Sequence, residues 1–186
     1  LSGRRLLVSG ALAVYGVALV AYTLLPLPSG AVGWCAQHGI DAAQLRPLAF
    51  VDDIRRETAG LGLSQTLRSR SVLQVAFNVL LFVPWGVAVR RFFDRGVLVT
   101  VVSGLALSVL VEVTQYTGVF GLVGCSYRVA DVDDLLSNTL GAAVGALVAP
   151  LVLAWLPRSA DLARDRGRPR PVTVWRRGTG MAVDRS

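Results

Sequence analysis

The chain has 186 residues, of which 53% are hydrophobic and 17% charged, and its mean hydropathy is +0.56. That balance excludes an ordinary soluble domain of this length, and the apolar residues fall in long uninterrupted runs, as membrane spans do. The formal charge of +7 comes from nineteen arginines without a single lysine against twelve acidic residues; eight of the arginines lie beyond residue 157, so the charge speaks to membrane topology and not to nucleic acid.

In chain order, Leu6–Leu27 carries no charge and is long enough to cross a bilayer. Arg4 and Arg5 precede it, as they would in a signal peptide. The stretch is long for a signal core, however, and Pro26, Pro28 and Trp34 leave no clean small-x-small cleavage site, so a retained span is expected. Residues 28–70 form the one sizeable loop, opened by Pro28, Gly30 and Gly33. Within it Val51–Thr58 (VDDIRRET) could form a short amphipathic helix, but a solvated surface turn is the preferred reading. His38 is a lone loop histidine.

Ser71–Val89 is the second span, with Ser71, Gln74, Asn78 and Trp85 on one face and Pro84 expected to kink it. Arg90, Arg91 and Arg95 follow in a basic hairpin. The third span, Val97–Phe120, sets Gly104, Ser108, Glu112 and Gln115 within roughly 80° of one another on a helical projection. The fourth runs from about Asp131 to Leu156, bent at Pro150, with Trp155 at its far end. Its polar stripe is Asp131, Asp134, Asn138, Gly141 and Gly145. The expected fold class is therefore all-α, a polytopic membrane protein with four transmembrane helices at about 6–27, 71–89, 97–120 and 131–156. Residues 157–186, basic and without an apolar period, are expected to be a disordered tail that leans on anionic lipid.

Four spans put both termini on one side. That side would collect Arg4, Arg5, Arg90, Arg91, Arg95 and the eight tail arginines; the other would hold Arg46, Arg55, Arg56, Arg68, Arg70 and Arg128. The positive-inside rule makes the N- and C-termini cytoplasmic and the loop 28–70 extracytoplasmic. Counted along the helices, Asn78, Glu112 and Asn138 then sit roughly 10–12 Å below the outer surface, with Gln115, Arg128, Asp131 and Asp134 above them. A polar pocket opening toward the outer leaflet is the expectation.

The residues carry different weights. Asn78, Gln115 and Asn138 read first as interhelical hydrogen-bond glue. Gly141 and Gly145 read as a small-residue packing edge, and Pro84 and Gly86 as a kink and packing pair. Glu112, Asp131 and Asp134 are harder to explain as structure, because a buried carboxylate costs several kcal/mol unless paired. Arg128, the one nearby cation in sequence, cannot neutralise all three. A shared proton, a bound cation or an amine-bearing ligand would supply the balance. No cofactor is expected; a divalent cation at Glu112, Asp131 and Asp134 stays open, while Cys/His metal motifs, nucleophile–base pairs and phosphate loops are missing from the sequence.

Three blocks carry a family resemblance. FNVLLFVPWG (Phe77–Gly86) resembles the N-x-x-x-F-x-P-x-G helix of VanZ-like membrane proteins, and LSVLVEVTQ (Leu107–Gln115) their S-x-x-x-E-x-x-Q stretch. RVADVDDLLSNTLGAAVG (Arg128–Gly145) resembles their R-x-x-D-x-x-D-x-x-x-N-x-x-G signature, and LRPL (Leu45–Leu48) is weakly similar to a piece of their first loop. Trp85 departs from the pattern, where a small aliphatic is more usual. The resemblance implies a membrane protein associated with reduced susceptibility to teicoplanin-type lipoglycopeptides, with no reaction assigned.

Two function classes follow. In the first, a non-enzymatic protein of the plasma membrane binds a lipid-anchored or lipid-like ligand in the outer leaflet, such as a lipid-linked envelope precursor or a lipoglycopeptide. In the second, an intramembrane enzyme uses Glu112, Asp131 and Asp134 as acid/base groups or metal ligands on a lipid-linked envelope precursor. The missing nucleophile and histidine favour the first. Cys35 and Cys125, the only cysteines, fall on the same oxidising side in this topology, so a disulfide is expected over two free thiols.

Overall fold

A computed structural model describes residues 3–28, 35–37 and 43–152 of the chain. Trp34, His38, Trp155 and the tail 157–186 lie outside the described residues. The elements in order are α1 (Gly3–Leu24), β1 (Ala43–Gln44), α2 (Ala49–Thr58), α3 (Leu63–Thr66), α4 (Arg70–Phe92), α5 (Val97–Tyr116), β2 (Ala130–Asp131) and α6 (Val132–Val152). The segments Leu6–Leu24, Arg70–Phe92, Val97–Tyr116 and Val132–Leu151 are long and apolar enough to cross a membrane.

The chain is mostly helical, with two departures from the sequence reading in the loop. The stretch expected to be a solvated turn is helix α2, one residue pair longer at its start than VDDIRRET. None of its residues is buried. Arg46 pairs with Asp52, Arg56 with Asp53, and Arg55 reaches Asp52 at 3.6 Å, so its charges largely neutralise one another. The second departure is a two-residue parallel bridge in a chain expected to be all-α. Ala43 pairs with Ala130 and Gln44 with Asp131, which lays the loop on the start of α6.

The third span is shorter than expected. α5 ends at Tyr116 rather than Phe120 because Gly118 turns left-handed at φ 61, followed by Val119 and Phe120 at φ 57 and 55. The Gly118 amide closes back on the Gln115 carbonyl, and a Cβ at this glycine would lie 2.2 Å from the Cys125 carbonyl oxygen. Only glycine tolerates both the angle and the contact. α4, by contrast, extends to Phe92, so Arg90 and Arg91 lie in its last turn, where cations favour the helix dipole.

α6 is the centre of the bundle. It packs most extensively on α4 and next on α5, while α4 and α5 touch each other sparingly. Glycines make the α4–α6 contact. A Cβ on Gly86 would lie 2.1 Å from the Ala142 carbonyl oxygen, on Gly141 2.2 Å from that of Val79, and on Gly145 2.1 Å from that of Val83. The two backbones therefore touch directly, the small-residue packing that drives association where lipid removes the hydrophobic drive. Pro84 lies inside α4, and Trp85 beside it donates from Nε1 to Ser103 Oγ on α5 at 3.2 Å.

α1 is the least buried span and meets α4 and α5 lightly. Polar side chains hold it. Gln115 Nε2 donates to the Thr23 carbonyl at 2.6 Å, Tyr127 Oη to that of Leu24 at 3.3 Å, and Arg128 Nη2 to that of Leu25 at 3.0 Å. These are the carbonyls that a helix C-terminus leaves open, satisfied here from outside the helix. Tyr15 Oη adds a bond to the Leu81 carbonyl at 2.9 Å. Beyond α1, Cys35 and Cys125 are disulfide-bonded with Cα atoms 5.8 Å apart, joining the short turn at 35–37 to the loop after α5.

A candidate carboxylate layer at the ends of α4, α5 and α6

The run Asp131-Val132-Asp133-Asp134 opens α6, and its carboxylates face different elements, with Gln44 Nε2 reaching both Asp131 and, at 3.4 Å, Asp133. Asp131 Oδ1 accepts the Asp133 amide at 2.8 Å and so caps the helix, the role short acidic side chains fill at this position. It also accepts Gln44 Nε2 at 3.1 Å from the bridged loop. Asp133 is 5% exposed, and both of its oxygens are used: Oδ1 takes the Leu48 amide at 2.6 Å and Oδ2 the Phe50 amide at 2.9 Å. These are the open N–H groups at the start of α2, so Asp133 caps that helix from another element. Asp134 Oδ1 receives Asn78 Nδ2 at 2.5 Å and Gln74 Nε2 at 3.4 Å, both from α4.

Glu112 comes to the same region from α5. Its Oε2 accepts the backbone amide of Asp131 at 3.0 Å, and the residue is 7% exposed. One turn lower, Ser108 Oγ accepts Asn138 Nδ2 at 2.9 Å. The helices are thus laced in tiers down α6, with Glu112 at the Asp131 amide, then Asn78 and Gln74 at Asp134, then Asn138 at Ser108.

This differs from the depth reading of the sequence. Asn78 does not meet Asn138, and Glu112, four residues from the end of α5, lies roughly 6 Å down that helix instead of 12. Counting from helix starts assumes that all helices begin in one plane. α4 starts about two turns above the residue on α6 that Asn78 reaches, and Gly118 cuts α5 short. Arg128 and Gln115 also leave the group: both bond to the end of α1, and Arg128 makes no ion pair within 4.0 Å among the described residues. Asn138 keeps one buried atom, Oδ1, without a hydrogen-bond partner.

What gathers is a layer of four carboxylates whose donors are neutral amides, from side chains (Gln44, Gln74, Asn78) and backbone (Leu48, Phe50, Asp131, Asp133). Burial, the largest cause, pushes the Asp131 carboxyl above the usual range; the Asp133 amide opposes it and the Asp133 carboxylate reinforces it. Among the described residues no three of the His, Cys, Asp and Glu side chains are disposed to hold a metal ion. A surface hollow of about 380 Å³ lies on α2, lined by Asp53, Arg56 and Glu57, and includes none of the layer's carboxylates. Asp133 and Gln44 escaped the sequence reading, whereas Gln74 lies on the polar face read for the second span. Asp133 lies off the stripe shared by Asp131 and Asp134, and its signal was the LRPL segment, whose Leu48 amide it binds.

A family model described as VanZ/LLP1 matches residues 12–153, most of the chain and all of the layer. The chain belongs to the VanZ/LLP1 family. No curated protein and no solved structure matches it. The VanZ/LLP1 match takes in α1 from its third turn to the end of α6, so the last three spans, most of the first, the bridged loop and the disulfide loop lie in the family region.

Proposed function

We propose that this VanZ/LLP1 protein works in the plasma membrane with both termini cytoplasmic, and that its carboxylate layer faces the outer leaflet. There it binds a lipid or lipid-like envelope component through a polar headgroup, and so is associated with reduced susceptibility to glycopeptide and lipoglycopeptide antibiotics. The observation that carries this reading is the composition of the layer: Glu112, Asp131, Asp133 and Asp134 are served by amides and, among the described residues, by no cation in ion-pair range. Carboxylates gathered at a membrane boundary without a counter-charge favour a ligand that brings hydrogen-bond donors or an amine. Orientation rests on the arginine count, and the resistance phenotype on the family.

Mass spectrometry of lipid retained by the purified full chain tests the binding. A specific lipid should co-purify with the parent and be lost from Glu112→Gln and Asp134→Asn, which change charge while keeping volume. If both variants retain the same lipid and the same antibiotic susceptibility as the parent, the reading fails.

A further inference from the structure

Of the exposed leucines outside the spans, three fall together in one short stretch beside a span: Leu61 at 44%, Leu63 at 76% and Leu67 at 56% exposure. They belong to α3 and its flanks, in the sequence Leu61-Gly62-Leu63-Ser64-Gln65-Thr66-Leu67. Leu67 donates its amide to the Leu63 carbonyl at 3.0 Å, so these two stack on one face of a helical turn, with Ser64 and Gln65 turned elsewhere. Apolar groups of this size on a water-facing loop cost free energy unless something covers them.

The chain's own connectivity says what lies next to them. Arg68 and Ser69 continue the turn through i→i+3 bonds to Gln65 and Thr66, and Arg70 then opens the span α4. Leu67 is therefore three residues, at most about 10 Å of chain, from the start of a membrane-crossing helix. The charges beside it are basic and stand outside the ion pairs of α2. The arginines of α2 are taken up by Asp52 and Asp53, whereas Arg68 and Arg70, both exposed, make no ion pair within 4.0 Å among the described residues. Glu57, on which Arg70 acts electrostatically without an ion pair within 4.0 Å, accepts the Ser71 amide at 3.0 Å.

We infer that α3 is an interfacial membrane anchor: Leu63 and Leu67, aided by Leu61, enter the headgroup–acyl boundary beside α4, while Arg68 and Arg70 bind the phosphates of anionic lipids. Apolar side chains flanked by arginine at the bilayer edge are how a surface-lying segment holds to a membrane. The anchor fixes the height of α2 and of the Gln44–Phe50 segment over the carboxylate layer. It stands independently of what that layer binds and of which leaflet it faces.

The test uses the full chain in phospholipid nanodiscs, with single nitroxide labels at Leu63→Cys and Leu67→Cys and a control at Arg55→Cys on α2; the native cysteines are bonded and take no label. Relaxation by oxygen against a water-soluble nickel chelate reads depth. Labels at 63 and 67 should favour oxygen several-fold over the label at 55. Adding phosphatidylglycerol to phosphatidylcholine discs should deepen them, and Arg68→Gln should remove that increment. Equal nickel access at all three positions would overturn the anchor. So would exclusion of both relaxants with spin–spin broadening that grows with protein loading, which would mean a second copy of the chain covers the leucines. Identical depth with and without phosphatidylglycerol would overturn the headgroup role of the arginines.

Discussion

Single side chains decide how the loop is held. Asp133 serves two backbone amides of α2 and is buried, so Asp133→Ala leaves Leu48 and Phe50 with unsatisfied donors. Hydrogen bonds to a charged group contribute roughly 1.5–3 kcal/mol each, and the two are partly redundant, so a loss of about 2–3 kcal/mol in local stability is expected. Hydrogen exchange should show it as faster exchange at 48–50, with the amides of α4 and α5 unchanged. Asn78→Leu acts one tier lower. It leaves Asp134 with only the longer Gln74 contact, and should cost about 1–3 kcal/mol of global stability, read as a lower melting temperature in detergent. Glu57 provides a pH signature outside the membrane. The Ser71 amide holds its carboxyl below the usual glutamate range. A depressed carboxyl stabilises the fold above its unfolded-state pKa and loses that contribution as pH falls through the folded value. Acidification should therefore loosen the α2–α4 junction, seen as faster exchange at Ser71, and Glu57→Gln should flatten that dependence.

At the scale of elements, the α4–α6 pair is set by the absence of side chains. Gly86 and Gly145 bring backbone to backbone from opposite helices, and a methyl at either would overlap a carbonyl oxygen. Gly145→Ala should force the helices apart and cost about 1–3 kcal/mol, the range for overpacking a tight contact. Gly16→Ala in α1 is the matching control, because nothing lies within 4 Å of its added Cβ. It should be neutral or slightly stabilising, since alanine is the better helix former. Thermal unfolding of the two variants in one detergent separates the cases; equal melting temperatures would remove the close contact. The glycines of the fourth span were readable as a packing edge from their four-residue spacing. Their partner, the carbonyl row from Val79 to Val83, was not, because backbone exposure on a helix leaves no mark in composition.

For the whole molecule, the disulfide and the α1 contacts tie the least packed span and its loop to the rest. Closing a loop of about 90 residues is worth roughly 4 kcal/mol in the chain-entropy account. The denatured, unreduced chain should therefore show no reactive thiol. Cys35→Ser with Cys125→Ser should lower stability and increase proteolysis in the 25–42 region, while the α4–α6 core remains. Two reactive thiols without reductant would remove the bond.

The sequence by itself determined that this is a four-span helical membrane protein of the VanZ kind, because span length, charge-free runs and motif spacing are local properties of a chain in lipid. It also marked the carboxylates as exceptional, since isolated charge in such helices has no cheap explanation. Tertiary structure alone decided which partner each one has. Register between helices depends on where each begins, and that was set by a left-handed glycine at 118, by glycine contacts between α4 and α6, and by a loop folded back through a two-residue bridge. So Arg128, closest to the acids along the chain, bonds to the end of α1, while Leu48 and Phe50, more than eighty residues away, bond to Asp133. Hydrogen bonds act over about 3 Å, and separation along the chain does not measure that distance.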